Sequence, residues 1–266
     1  MMHAATFLFV PGDRPDRFAK ALASGADRAI IDLEDAVRPE AKAQARQATL
    51  AAKVDWARVA VRINDATSPH FEDDRQFLRA CAASAIVLPK AESSHVVAQV
   101  RAACARDVEV IVLIETAKGL ANIASLLSAP GVRRAAFGNL DFALDLGCDT
   151  DWGSLLFARS RIVLQSRLAG ALPPIDGVTA EFKNAKAAAA DAEAARRLGF
   201  GGKLLIHPNQ IAAVASAFAP TASEIAWARK VIAASDSKPG AVALDGKMID
   251  KPVIEFAQRI LSRARL

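Results

Sequence analysis

Short apolar runs alternate with longer amphipathic stretches along most of the chain. Runs of four to seven residues, often β-branched and bounded by Pro, Gly, Asp or Asn, predict strands at 6–10, 29–32, 59–63, 85–88, 108–114, 134–137, 175–178 and 203–206. Helical periodicity fills the gaps at 15–23, 40–53, 71–82, 94–105, 119–128, 153–171 and 185–198, with a short extra helix at 142–146. Asp13 is a candidate N-cap for the first helix. Strands and helices in strict alternation imply a parallel sheet. Eight strands in 266 residues favour closure into a TIM (β/α)8 barrel. No GxGxxG follows the first strand, which argues against an open dinucleotide-binding sheet. After the eighth strand come helices at 210–218 and 223–234, a Gly-containing loop at 236–247 and a last helix from Pro252. The expected division is a barrel over 1–219 and a C-terminal helical extension over 220–266.

A hydrophobic content of 52% suits strands covered on both faces. No run reaches the roughly 18 uninterrupted apolar residues of a membrane span. The N-terminus has no cationic stretch before its apolar run and reads as a strand, not a leader. Cys81, Cys104 and Cys148 are odd in number and widely spaced, so a disulfide framework is not expected and a reducing cytoplasm is the expected location. The net charge of +5 is spread along the chain. That pattern fits an anionic small molecule better than nucleic acid or a membrane surface.

Barrel enzymes carry their chemistry at the C-terminal ends of the strands. Here those ends are polar almost throughout: Pro11-Gly12-Asp13-Arg14, Asp32-Leu33-Glu34-Asp35, Arg62-Ile63-Asn64, Pro89-Lys90, Glu115-Thr116, Gly138-Asn139-Leu140-Asp141 and His207-Pro208-Asn209-Gln210. Closure brings them to one mouth, where Pro11, Gly12, Arg14, Lys90 and Asn139 are candidate substrate contacts. Glu115 ends a wholly apolar run, where an uncompensated charge is costly. A neighbouring Arg or Lys, or a metal ion, would relieve it. Asp141 follows the adjacent strand, and two carboxylates together call for a cation between them. Mg²⁺ fits such a pair, with Mn²⁺ as a substitute; Asp141 as cap of the helix after it is the alternative. Arg62, at the end of another apolar strand, offers a planar fork to a substrate carboxylate or carbonyl. Glu34 and Asp35, beside Asp32, are either helix-cap and salt-bridge residues or catalytic groups that hold metal-bound waters or pair with Arg62. Gly138 lets the backbone approach a ligand at a helix start. His207 precedes a proline and is expected to be structural. No nucleophile arrangement stands out.

Several of these strand ends belong to longer stretches. Leu8-Phe9-Val10-Pro11-Gly12-Asp13-Arg14, Asp32-Leu33-Glu34-Asp35-Ala36-Val37, Val61-Arg62-Ile63-Asn64 and Leu88-Pro89-Lys90-Ala91-Glu92 are followed by Ile114-Glu115-Thr116-Ala117, Phe137-Gly138-Asn139-Leu140-Asp141, Ile206-His207-Pro208-Asn209-Gln210 and Met248-Ile249-Asp250-Lys251-Pro252. In this order, over nearly the whole chain, they resemble the citrate lyase β-subunit-like (CitE-like) family of the HpcH/HpaI aldolase superfamily. The resemblance implies a TIM barrel with a C-terminal extension that packs on a neighbouring subunit, in homotrimers or multiples of them. It implies Mg²⁺ on Glu115 and Asp141, and Arg62 at the oxoacid end of the substrate. It also implies an acid–base role for Asp250, which position alone would make the N-cap of the last helix. The implied reaction cleaves or forms a 3-hydroxyacyl thioester, such as citryl-, malyl- or citramalyl-CoA. The products are a 2-oxoacid and an acyl thioester of CoA or an acyl-carrier protein.

Rival activities are a metal-dependent pyruvate-type aldolase and a malate-synthase-like or thioesterase activity on the same CoA substrates. A non-catalytic binding subunit is disfavoured by the complete set Arg62, Glu115, Asp141 and Asp250.

Overall fold

A computed structural model of the chain describes residues 5–237, 242–244 and 247–264. Two compact units divide it, residues 3–215 and the stretch from Ser216 onward. The division falls inside a helix, a few residues before the expected boundary at 219.

The first unit is a closed barrel of eight parallel strands in sequence order. They are β1 (Thr6–Pro11), β2 (Arg28–Asp32), β3 (Val59–Arg62), β4 (Ala85–Leu88), β5 (Glu109–Ile114), β6 (Val132–Phe137), β7 (Ile175–Asp176) and β8 (Gly202–Leu205). Each expected strand is present within two residues at either end. Helices cover the outside: α1 (Phe18–Ala23), α2 (Lys42–Leu50), α3 (Phe71–Leu78), α4 (Ser94–Ala103), α5 (Ala117–Ala121), α6 (Ile123–Leu127), α7 (Asn139–Leu146), α8 (Leu156–Leu168) and α9 (Ala185–Leu198). The stretch expected to be one helix over 119–128 is two, broken at Asn122. Asp13 does not cap the first helical turn; Arg14 occupies that position with no side-chain cap.

Alternate strand residues point inward and fill the barrel. Phe7, Ile30, Val87, Ile111, Leu113 and Leu204 form one apolar cluster with Ala60, Ala136 and Ile175. Truncating an inner isoleucine to alanine at such a site costs about 2–5 kcal/mol. The outward residues meet the helices, and one of those contacts is ionic. Asp176 is fully buried between Arg159 Nε at 2.9 Å and Lys203 Nζ at 3.1 Å. Lys203 also donates to the carbonyl of Gly177 at 2.6 Å.

The stretch Pro208–Ser235 has the length and mean hydropathy of a membrane span. It is broken into a helical turn at Pro208–Gln210, α10 (Ile211–Phe218) and α11 (Ala222–Ser237), with Pro220 between the last two. The second unit holds the end of α10, all of α11, a hairpin of β9 (Val242–Leu244) and β10 (Lys247–Ile249), and α12 (Lys251–Ala264). The hairpin replaces part of the loop expected over 236–247; residues 238–241, 245 and 246 lie outside the described residues. Ala228, Val231, Ile249, Ala257 and Ile260 form this unit's own small core.

Candidate active site

The mouth is organised around Asp32 and Arg62, which end adjacent strands in register. Asp32 grips the guanidinium with both oxygens, at 2.7 Å to Nε and 2.6 Å to Nη2. The same carboxylate accepts the backbone N–H groups of Glu34 and Ala36, which turns the chain sharply after β2. Lys42, itself buried, donates to the carbonyls of Leu33 and Glu34 at 2.7 Å each and fixes that turn from below. The fork expected to meet a substrate is therefore committed to Asp32. What Arg62 turns toward the mouth is Nη1, 3.0 Å from Glu34 and 3.4 Å from Asp35. Burial pulls the Arg62 pKa down, and the three carboxylates more than reverse it, so the charge is permanent.

Glu34 is buried and its oxygens are poorly served. Oε2 faces Arg62 Nη1 as an ion-pair neighbour but is out of line for a hydrogen bond. Burial pushes its carboxyl up to about 9, against the pull of Arg62 and with repulsion from Glu115, Asp35 and Asp32 added. Burial thus favours the protonated form of Glu34, and the Arg62 guanidinium opposes it. Asp35, by contrast, is exposed at the rim. Lys90 sits 3.9 Å from Glu34 and 3.8 Å from Asp65.

Glu115 follows β5 and is 3% exposed. Its Oε1 accepts the backbone N–H of Lys90 at 2.7 Å. Lys90 reaches that position with φ of 42°, the left-handed region that a side chain disfavours. Burial raises the Glu115 carboxyl to about 7, and Asp141 adds repulsion. Gly138 lies against it: a Cβ there would stand 2.5 Å from both Cβ and Oε2 of Glu115. Gly138 is also the N-cap of α7, so Asp141 is not the cap. Asp141 instead stands exposed in the first turn.

A cavity of about 390 Å³ opens at this mouth, within the usual range for a small-molecule site. Of the expected residues it gathers Pro11, Asp35, Arg62, Glu115, Gly138, Asn139 and Asp141, with Glu34 and Lys90 beside them through the ion pairs above. Gly12 is not at the surface of the cavity: it is buried where a Cβ would collide with Leu33 and the Asp32 carbonyl. Arg14 is exposed and paired with Asp16 at 3.0 Å. The Asn139 side chain is bonded to both the N–H and the C=O of Val178, and both residues line the cavity. Asp250 lies in the second unit, where it caps α12 by accepting the N–H of Val253. His207 is structural as expected, its ring accepting the N–H of Asn209. The apolar floor of Phe9, Leu113, Phe137, Val178 and Leu204 was not singled out from sequence. Strand alternation alone held that signal.

The two carboxylates fit a hard divalent cation. Among the described residues Glu115 has no Lys or Arg within ion-pair distance, and its buried charge is pressed by a second carboxylate. Among the described residues no cluster of three or more His, Cys, Asp or Glu side chains offers a closed metal cage. Two carboxylates leave room for water and substrate oxygens, as Mg²⁺ prefers.

A fold of this kind with its charged groups at the C-terminal mouth is that of a barrel enzyme. The model of the HpcH/HpaI aldolase/citrate lyase family matches residues 5–208, and the chain belongs to that family of carbon–carbon lyases. It is similar to the citrate lyase subunit beta-like protein of Deinococcus radiodurans, at 37% identity over 96% of this chain and 95% of the relative. It is similar to the L-malyl-CoA/beta-methylmalyl-CoA lyase of Cereibacter sphaeroides, at 31% identity over 97% of this chain and 94% of that one. The solved structure of CitE from Mycobacterium tuberculosis with magnesium, acetoacetate and coenzyme A superposes with a TM-score of 0.89, at 36% identity over 99% of both chains.

Proposed function

We propose that this chain is a Mg²⁺-dependent carbon–carbon lyase acting on a 3-hydroxyacyl-CoA thioester of the citryl, malyl or citramalyl type. One observation carries the reading: Glu115, Asp141 and Arg62 converge on one cavity in a chain that matches a magnesium- and CoA-bound relative from end to end. Cleavage removes the hydroxyl proton, breaks the bond between the hydroxyl-bearing carbon and the thioester α-carbon, and leaves a 2-oxoacid. The bond pair passes to the α-carbon, which takes up a proton.

Glu115 and Asp141 would hold the cation, which supplies Lewis acidity to the substrate's hydroxyl and carboxylate oxygens when bound. Arg62 presents a fixed positive edge that favours negative charge developing on the oxo oxygen. Asp32 keeps that edge in place without reorganisation. Glu34 and Asp35 are the acid–base groups of the barrel itself, one buried with its pKa raised by that burial, the other at the rim. The apolar floor restricts water around the cleaved carbon. Asp250 is the proton donor and acceptor for the α-carbon, offered from its own or a neighbouring subunit. Self-association is supported by Phe157, Leu164 and Leu168, exposed at helical spacing along one face of α8, and the family resemblance makes a trimer or a multiple of one the form proposed. The free thiols of Cys81, Cys104 and Cys148 support a cytoplasmic location.

The test is a panel of acetyl-CoA with glyoxylate, pyruvate or oxaloacetate, followed by free thiol and by mass. A new 3-hydroxyacyl-CoA in at least one arm, and its cleavage in reverse, is the expected result. Thiol release with no condensed thioester, or aldol cleavage of substrates lacking CoA, would replace this reading with a thioesterase or a pyruvate-type aldolase.

A further inference from the structure

The barrel's least-paired seam lies beside Asp141. Strands β1 and β2 are paired over five register positions, and β5 and β6 also over five. Strands β6 and β7 share a single register pair, Ala136 with Ile175. Beyond it β6 runs into Gly138 and α7, while the chain after β7 continues as Gly177 and Val178 with no ladder partner on that side.

The Asn139 side chain stands in for the missing ladder. Its Oδ1 accepts the N–H of Val178 at 2.9 Å, and its Nδ2 donates to the Val178 carbonyl at 3.2 Å. The N–H and C=O of one extended residue point to the same edge of a strand. A primary amide can meet both at once, as a neighbouring strand would. Asn139 is 5% exposed, and the bonds it makes to Val178 are partly buried. Gly177 makes room for them: a Cβ there would lie within 2.9 Å of three Asn139 side-chain atoms, the nearest at 2.0 Å. The far side is held by the buried ion cluster, since Lys203 donates to the Gly177 carbonyl and to Asp176, which also holds Arg159.

The first turn of α7 is thereby fixed at two points. Gly138 is pressed on the Glu115 side chain, and Asn139 is tied to Val178. Asp141 follows two residues later on the same turn. We infer that Asn139, with Gly177 as its seat, is a positioning residue that sets the spacing of Asp141 from Glu115. The inference rests on the metal role given above to those two carboxylates.

Mn²⁺ binding, followed by the loss of its free-ion EPR signal, tests this without turnover. Wild type, Asn139→Ala, Gly177→Ala, Glu115→Gln and Ser84→Ala are compared well below their unfolding midpoints. Ser84 lies at the other end of the barrel, where its hydroxyl donates to the Val59 carbonyl, and controls for general destabilisation. Asn139→Ala and Gly177→Ala are expected to bind Mn²⁺ roughly 10- to 100-fold more weakly, the usual effect of losing a group that orients a ligand. Ser84→Ala is expected to lower the midpoint and leave the affinity unchanged. Asn139→Ala within about threefold of wild type, with Glu115→Gln impaired, overturns the positioning role alone. Wild type that binds no Mn²⁺, or Glu115→Gln that binds it normally, overturns the metal assignment and this inference with it.

Discussion

Two carboxyl groups at the mouth have raised pKa values, and their protonation sets the pH behaviour of the site. Glu115 rises from 4.5 to about 7 and Glu34 from 4.5 to about 9, burial being the main cause in both. A protonated Glu115 cannot ligate a cation. Mg²⁺ affinity, measured by titration calorimetry, is therefore expected to fall about tenfold per pH unit below about 7 and to level off above it. A flat profile from pH 5 to 8 would contradict the buried-ligand picture. Without metal, the folded state binds these protons more tightly than the unfolded state does. The contribution of these two groups to stability is then fully present below pH 4.5 and is lost as pH rises through about 7 for Glu115 and about 9 for Glu34. In EDTA the Tm of wild type should drop over that window, and Glu34→Gln should remove the upper part of the drop. Arg62→Lys keeps the charge but cannot span both oxygens of Asp32. A loss of roughly 100-fold in kcat/KM, about 2.7 kcal/mol, is expected; a change of a fewfold would leave Arg62 with a structural role. The placement of Glu115 and Arg62 at the mouth was legible because each breaks an apolar pattern at a strand end, and that of Asp141 because it follows the strand beside Glu115's. The grip of Asp32 on Arg62 was not, because the two lie 30 residues apart and only strand register brings them together.

At the level of elements, the eight strands were readable from apolar runs and turn residues alone. The helices were less so, since residues 119–128 carry one continuous period while Asn122 divides it in space. The hairpin of β9 and β10 escaped notice because its strands are three residues each, too short for alternation to register. Two close approaches decide how the catalytic strand ends meet. Gly138→Ala would force a methyl group against Glu115 Cβ and Oε2. Metal-stimulated turnover should fall at least about 100-fold while the far-UV circular dichroism stays that of wild type, because the clash is at a strand end and not in the core. Unchanged activity would mean that α7 can shift without consequence. Lys90 offers the opposite case. Lys90→Gly relieves a left-handed backbone while keeping the N–H that Glu115 accepts. Its Tm is expected to match or exceed that of Lys90→Ala, a difference worth on the order of 1 kcal/mol, and the reverse order would remove the strain argument.

For the whole molecule, the barrel was legible from strand count and length, and the C-terminal unit from what remained after the eighth strand. The acid–base role proposed for Asp250 was not legible from its position, which made it a helix cap, and a helix cap is the contact observed. Subunit complementation addresses it. Asp250→Asn and Glu115→Ala are each expected to be inactive, and mixed oligomers should regain part of the activity if one subunit's Asp250 serves another's barrel. Verified hetero-oligomers with no recovery would assign Asp250 to its own subunit. Phe157→Lys with Leu164→Lys should shift the sedimentation coefficient toward the monomer if the apolar face of α8 is an interface. The central claim is that Glu115 and Asp141 together hold the cation on which carbon–carbon bond cleavage depends. Its most direct test measures cleavage of a 3-hydroxyacyl-CoA by wild type, Glu115→Ala and Asp141→Ala, each stripped with EDTA and then resupplied with Mg²⁺. The account predicts that stripped wild type is inactive and recovers fully with Mg²⁺, while both folded variants stay inactive at any Mg²⁺ concentration. Full activity in EDTA, or Mg²⁺-dependent turnover at the wild-type rate in either variant, would contradict it.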